Sequence, residues 1–260
     1  MSLLEVIVLA IIEGLTEFLP VSSTGHMIIA SSVMGIANDD FVKLFTIAIQ
    51  FGAILSVIVL YFKRFFKSIE FYLRLFIAFI PAAVIGFLLN DYIDALLENA
   101  LVVALSLVIG GVILLFIDRL SKEVEDEEPS RKQSLMIGFF QCIAMIPGVS
   151  RSAATIIGGM AQGLNKKSAA EFSFFLAVPT MFAATVYKLY KFHKEVGFSE
   201  EHLSPMLIGN ALAFVVALIA IKGFIGYVTK NGFRIFGWYR IILGGIILVM
   251  MALGYDLQMV

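Results

Sequence analysis

Six stretches of the chain stay apolar over about the 20 residues that a helix needs to cross a bilayer. They run roughly over 43–62, 75–90, 100–118, 171–190, 205–222 and 238–254, and each predicts a spanning helix. Two further apolar stretches, 3–35 and 135–163, are interrupted near their middles, at Pro20 and at Pro147-Gly148. Proline removes a backbone donor and breaks a helix, so each half is too short to cross comfortably. Broken helices at membrane depth are tolerated where they line a cavity. Both stretches therefore predict re-entrant helical hairpins with their tips near mid-membrane.

The two breaks resemble each other. Pro20-Val21-Ser22-Ser23-Thr24-Gly25 aligns with Pro147-Gly148-Val149-Ser150-Arg151-Ser152 at a shift of 127 residues (147 less 20). The same shift places Tyr61-Phe62-Lys63-Arg64 on Lys188-Leu189-Tyr190-Lys191. Each half then holds one hairpin plus three spans. An odd number of spans inverts the second half relative to the first, an architecture known for membrane proteins with broken helices. The expected fold is an all-α integral membrane protein with a single membrane domain over 1–260. Its inverted repeats cover about 1–120 and 131–260, and the charged linker Ser121–Gln133 is the boundary between them.

Composition agrees. The 260 residues are 60% hydrophobic and 15% charged, with a mean hydropathy of +0.96, and a soluble domain of this size would carry far more charge. A net charge of −1 leaves no nucleic-acid footprint. Cys142 is the only cysteine, which excludes an internal disulfide, and it reads as a small apolar residue. No Lys or Arg precedes the first apolar run, so that run lacks the cationic start of a cleaved signal peptide. With both hairpins entering and leaving on one side, fourteen Lys and Arg fall on one face. They are Lys63, Arg64, Lys67, Arg74, Arg119, Lys122, Arg131, Lys132, Lys166, Lys167, Lys222, Lys230, Arg234 and Arg240. Four, Lys43, Lys188, Lys191 and Lys194, fall on the other, and only Arg151 is left inside. The first face should be cytoplasmic, which puts both termini outside.

The candidate chemistry sits at the breaks. Glu13 and Glu17 share a helical face four residues apart, and ionisable groups at membrane depth mark function by default. No Lys or Arg lies near them in sequence. They suit a divalent cation that bridges to a phosphate. Alternatively one carboxyl serves as acid or base. Ser22, Ser23 and Thr24 should cap the helix after the first break, and Ser150 the helix after the second. With Arg151 beside it, that second helix start is an anion site. Ser23 is the better candidate hydroxyl nucleophile, and His26, one turn on, can move protons. Glu171 reads as a helix-start acid. Gln50, Ser56 and Thr180 read as interhelical hydrogen-bonding groups, and Trp238 and Tyr239 as interfacial anchors.

These motifs resemble a known family. Glu-Gly-Leu-Thr-Glu-Phe-Leu-Pro-Val-Ser-Ser-Thr-Gly-His (13–26) and Pro-Gly-Val-Ser-Arg-Ser-Ala-Ala-Thr (147–155) look like the signatures of the undecaprenyl pyrophosphate phosphatases of the bacitracin-resistance type. The length and span pattern also match. The resemblance implies an inner-membrane enzyme with its active site facing the periplasm or cell exterior. Such an enzyme would remove the terminal phosphate of a polyprenyl pyrophosphate lipid and so recycle the carrier of cell-wall precursors. The family's essential glutamates match Glu13 and Glu17, and its serine and histidine match Ser23 and His26. Its phosphate-binding group matches Ser150, Arg151 and Thr155, with Ser152, Ser22 and Thr24 as neighbouring binding hydroxyls. The resemblance also implies a divalent cation, Mg2+ or Ca2+, and membrane lipids as surroundings; it allows a homodimer. One departure is Ala153, where the family's pattern has glycine. Spacing alone leaves a second class open, a transporter or flippase for an anionic polyprenyl lipid or phosphate.

Overall fold

A computed structural model of the chain describes residues 1–66, 68–89, 92, 93, 96, 99–121, 128–197 and 199–254. All regular structure among them is helical. In chain order the α-helices are α1 (Leu3–Thr16), α2 (Ser23–Val33), α3 (Asp40–Ala48), α4 (Gln50–Leu60), α5 (Ile69–Leu88), α6 (Ala100–Phe116), α7 (Arg131–Ile143), α8 (Arg151–Ala161), α9 (Lys166–Glu195), α10 (Glu200–Asn231) and α11 (Arg234–Ala252). Six helical runs are long and apolar enough to cross a membrane: Asp40–Leu60, Ile69–Leu88, Ala100–Leu120, Lys166–Lys194, Glu200–Asn231 and Arg234–Ala252. They coincide with the six spans expected from hydropathy. The first of them is interrupted at Ile49, between α3 and α4.

The two broken stretches are helix pairs, α1 with α2 and α7 with α8. Each second helix starts at a serine whose hydroxyl accepts the backbone N–H three residues on: Ser22 from Gly25 at 3.3 Å and Ser150 from Ala153 at 3.2 Å. Both serines have φ +72°, and they are the only non-glycine residues with positive φ among those described. The matching positions are thus Ser22 and Ser150, a shift of 128 (150 less 22). The caps stand one residue away from the alignment of Ser23 with Ser150 expected at a shift of 127. The second break holds one residue more between proline and cap, and that residue is Gly148 at φ +86°. A Cβ there would lie within 3 Å of the Val103 carbonyl and Cα, so the second break needs both the freedom and the smallness of glycine.

Small residues let the helix backbones approach, as membrane packing requires. α1 lies along α10, α7 along α5, and α6 along α11. In the last pair a Cβ on Gly111 would stand 2.8 Å from the Gly237 carbonyl, and one on Gly237 as close to the Gly111 carbonyl. A buried apolar cluster joins the N- and C-terminal parts of the chain, and within it the rings of Phe18, Phe174, Phe224 and Phe233 contact one another in succession.

Arg240 corrects the charge map. It does not lie on the cationic face but is fully buried, and its guanidinium donates to five backbone carbonyls. These belong to Pro20 (3.2 Å) in the first break, to Gly148 (2.9 Å) and Val149 (2.8 Å) in the second, and to Ser106 (3.0 Å) and Leu107 (3.4 Å) in α6. All five guanidinium N–H groups find acceptors, which is what makes a buried arginine tolerable. The expected count for that face therefore falls to thirteen (fourteen less Arg240). Of these, Lys67 and Lys122 lie outside the described residues, as do 125–127 of the acidic linker run. Ser56 differs as well: its hydroxyl donates to the Ala53 carbonyl of its own helix at 2.6 Å, whereas Thr180 reaches Gln141 across helices at 3.3 Å.

Candidate active site

The site is built where the two breaks meet. Arg151, the first residue of α8, extends its guanidinium to the Glu17 carboxylate at the end of α1, with Nη2 2.9 Å from Oε1. Its Nη1 donates to the Ser173 carbonyl on α9 at 2.9 Å, and its charge lies 5.7 Å from the Phe18 ring centroid. The Nε atom of Arg151 is buried with no hydrogen-bond partner. The other Glu17 oxygen accepts the Ser23 hydroxyl at 2.5 Å. Glu17 thus holds both a cation and a hydroxyl in fixed directions.

Glu13, one turn earlier on the same face, lies beside Glu17 and is buried to 1% exposure. Its Oε1 atom has no partner. A buried carboxylate oxygen left bare costs about 1–3 kcal/mol or more, so the position calls for a proton or a cation. Two adjacent hard oxygen donors with the Ser23 hydroxyl beside them suit a divalent cation in kind. No cluster of three or more His, Cys, Asp or Glu that could hold a metal occurs among the described residues. Were a cation held here, this pair would be its carboxylate ligands among the described residues, and the remaining ligands would come from substrate, hydroxyl or water.

The remaining expected residues are placed as follows. Ser22 is the cap of α2, and Thr24 is half-buried on the first turn of that helix. Ser152 donates to the Leu19 carbonyl at 2.8 Å and so ties the second break to the first. Thr155 donates to Ser173 at 2.7 Å, beneath Arg151. The hydroxyls of Ser150 and Ser152 stand 3.0 Å apart. Ala153 is buried, and its methyl group is accommodated. His26 does not meet Ser23. Its Nδ1 lies 2.8 Å from the Ser22 carbonyl and its Nε2 2.6 Å from the Tyr239 hydroxyl. Glu171 pairs with Arg64 at 2.9 Å, away from the site.

The chain matches the bacitracin resistance protein BacA family over residues 6–246. It belongs to that family. It is 62% identical over 255 residues to the undecaprenyl-diphosphatase of Flavobacterium johnsoniae, covering 96% of each chain. It is 56% identical over 265 residues to that of Bdellovibrio bacteriovorus, covering all of both, and 48% identical over 245 residues to that of Aquifex aeolicus, covering 92% of this chain and 95% of the other. With six spanning-length helices, this member of the family is a multi-pass membrane protein.

Sequence reading missed three residues that shape the site. Ser173 carries Arg151 and Thr155, Tyr239 holds His26, and Arg240 pins both breaks. Of the three only Arg240 carried a signal, as an arginine close behind the start of an apolar span.

Proposed function

We propose that the chain hydrolyses undecaprenyl pyrophosphate to undecaprenyl phosphate and inorganic phosphate. The 2.9 Å contact between Arg151 and Glu17 carries this reading. It puts an arginine fork, a serine hydroxyl and two buried carboxylates into one site, in a chain whose relatives bear the name undecaprenyl-diphosphatase. Arg151 moves from Glu17 to the phosphate oxygens, since its planar fork suits them and its Nε has no other partner. The backbone N–H groups at the starts of α2 and α8 face the same anion. Glu17 takes the Ser23 proton along their 2.5 Å bond while the serine oxygen attacks the terminal phosphorus. The anhydride P–O bond breaks and undecaprenyl phosphate leaves. Water then releases phosphate from the serine.

A divalent cation, Mg2+ or Ca2+, would be held by Glu13 with Glu17 and would offset the charge of the pyrophosphate. The α1–α2 and α7–α8 pairs are read as re-entrant hairpins and the halves as inverted repeats. Exchange of packing partners supports this: α1 lies on α10 as α7 lies on α5, while α6 and α11, the last helices of each half, lie on each other. Arg240 supports mid-membrane tips, because it ties both breaks to Ser106 and Leu107, half-way along α6. The enzyme sits in the bacterial inner membrane with its site facing outward.

Purified protein in detergent, where there is no membrane to cross, should release inorganic phosphate from a polyprenyl pyrophosphate, and Ser23→Ala should not. Vectorial movement of lipid in vesicles without phosphate release would favour the transport reading instead.

A further inference from the structure

A third segment reaches the site besides the two motifs. Tyr239 and Arg240, consecutive on α11, contact His26 and the two breaks respectively. We propose that Tyr239 is a positioning residue for His26. Its hydroxyl selects the imidazole tautomer with the proton on Nδ1, and it is the group through which Nε2 exchanges protons.

The geometry runs through hydrogen-bond valence. Nδ1 lies 2.8 Å from the Ser22 carbonyl, which can only accept, so Nδ1 carries the proton. Nε2 of the neutral ring then has only a lone pair to offer, and the Tyr239 hydroxyl 2.6 Å away donates to it. The two rings lie almost parallel, 5° apart with centroids at 5.5 Å, and with the oxygen only 2.6 Å from Nε2 they are near coplanar, so the phenol meets the imidazole edge-on, along the in-plane lone pair of Nε2. The five carbonyl bonds of Arg240 fix the backbone that carries Tyr239. One of them is to Pro20, two residues before Ser22, so the donor and the acceptor on either side of His26 belong to one rigid unit.

Both ring nitrogens are therefore occupied, and the Ser23 hydroxyl is directed to Glu17 instead. A proton that arrives at Nε2 is the phenol's own. As the Tyr239 O–H bond breaks and the N–H bond forms, the phenol oxygen takes a proton from water or from a phosphate oxygen and is restored unchanged. Tyr239 is 45% exposed, so the protein itself does not wall it in.

The proposal rests on the phosphatase reading only for its effect on rate, and the two fail separately. The tautomer is read in the resting protein, without substrate, from the side-chain 15N resonances of histidine in detergent micelles. His26 is assigned by the signals that His26→Gln removes from the set shared with His193 and His202. The expected result is a proton on Nδ1 and a hydrogen-bonded, unprotonated Nε2, whose shift moves toward that of a free acceptor in Tyr239→Phe. A proton on Nε2 in the unaltered protein, or an Nε2 resonance indifferent to the phenylalanine, overturns the proposal whatever the enzyme's activity. Phenylalanine keeps the ring and its packing and removes only the hydroxyl, so the thermal midpoint should hold. The same variant should then lose about tenfold in kcat, with KM changed less than about twofold. Full kcat in Tyr239→Phe would overturn the relay.

Discussion

Arg151 and Glu13 are the side chains whose buried atoms lack partners within the site, and each supports a prediction. Arg151 spans Ser173 on one side and Glu17 on the other with two terminal nitrogens, a reach that one ammonium group does not have. Arg151→Lys should therefore fail almost as badly as Arg151→Ala, each losing about a hundredfold or more in kcat/KM, on the scale of a lost transition-state donor. Near-normal turnover in the lysine variant would reduce Arg151 to a point charge. Glu13 is the cleaner probe of the cation, because Glu17 also holds Arg151 and Ser23. Glu13→Gln should raise the Mg2+ or Ca2+ concentration for half-maximal rate by about tenfold, equivalent to about 1.4 kcal/mol, and excess cation should restore part of the activity. An unmoved midpoint alongside a uniformly lower rate would assign the pair to proton transfer alone. The carboxylates, Ser23 and Arg151 were legible because charge and hydroxyl groups stand out in apolar sequence. Tyr239 was not, because a tyrosine at a span end reads as an interfacial anchor until its partner 213 residues away is known.

At the scale of the element, the starts of α2 and α8 are strained and capped at once. Ser22 at φ +72°, ψ 94° and Ser150 at φ +72°, ψ 117° sit where non-glycine residues are rare, at about 1–3 kcal/mol each. Each hydroxyl recovers part of that by accepting the N–H of the third residue of its helix, which has no partner within the helix. Replacement by alanine keeps the strain and removes the cap, for a loss of about 1 kcal/mol. Replacement by glycine removes the cap but relieves the strain. Thermal unfolding in detergent should thus rank Ser150→Gly above Ser150→Ala, and likewise at Ser22; the reverse order would mean that the positive φ costs nothing. Proline, serine and apolar runs made both breaks legible in sequence. The backbone angle itself was not, and the two caps stand one residue out of the register read from the prolines because the extra residue, Gly148, acts through conformation and leaves no change in polarity.

For the whole molecule, the orientation in the membrane follows from where the charges gather. Six helical spans were legible because a run of 20 apolar residues has few alternatives. The inward position of Arg240 was not, since only tertiary structure supplies the five carbonyls that satisfy it. Moving it inside still leaves thirteen cations against four. Ion pairs gather four of the thirteen at one end of the bundle: Arg64 with Glu128 and Glu171, Arg74 with Glu70 and Glu128, Arg131 with Glu70, and Lys166 with Asp118. Asp118 also accepts the Phe233 N–H, which brings the α10–α11 turn to the same end. Pairs this accessible contribute at most about 1 kcal/mol each, so they mark that end more than they hold it together. On the orientation proposed above from the positive-inside rule, this end would be cytoplasmic and the breaks would open toward the opposite side. In a Cys142→Ser background, Lys63→Cys and Lys132→Cys should resist an impermeant thiol reagent added to whole cells, while Lys194→Cys should react. Labelling at 63 and 132 from outside, with 194 protected, would turn the molecule over and place the site toward the cytoplasm.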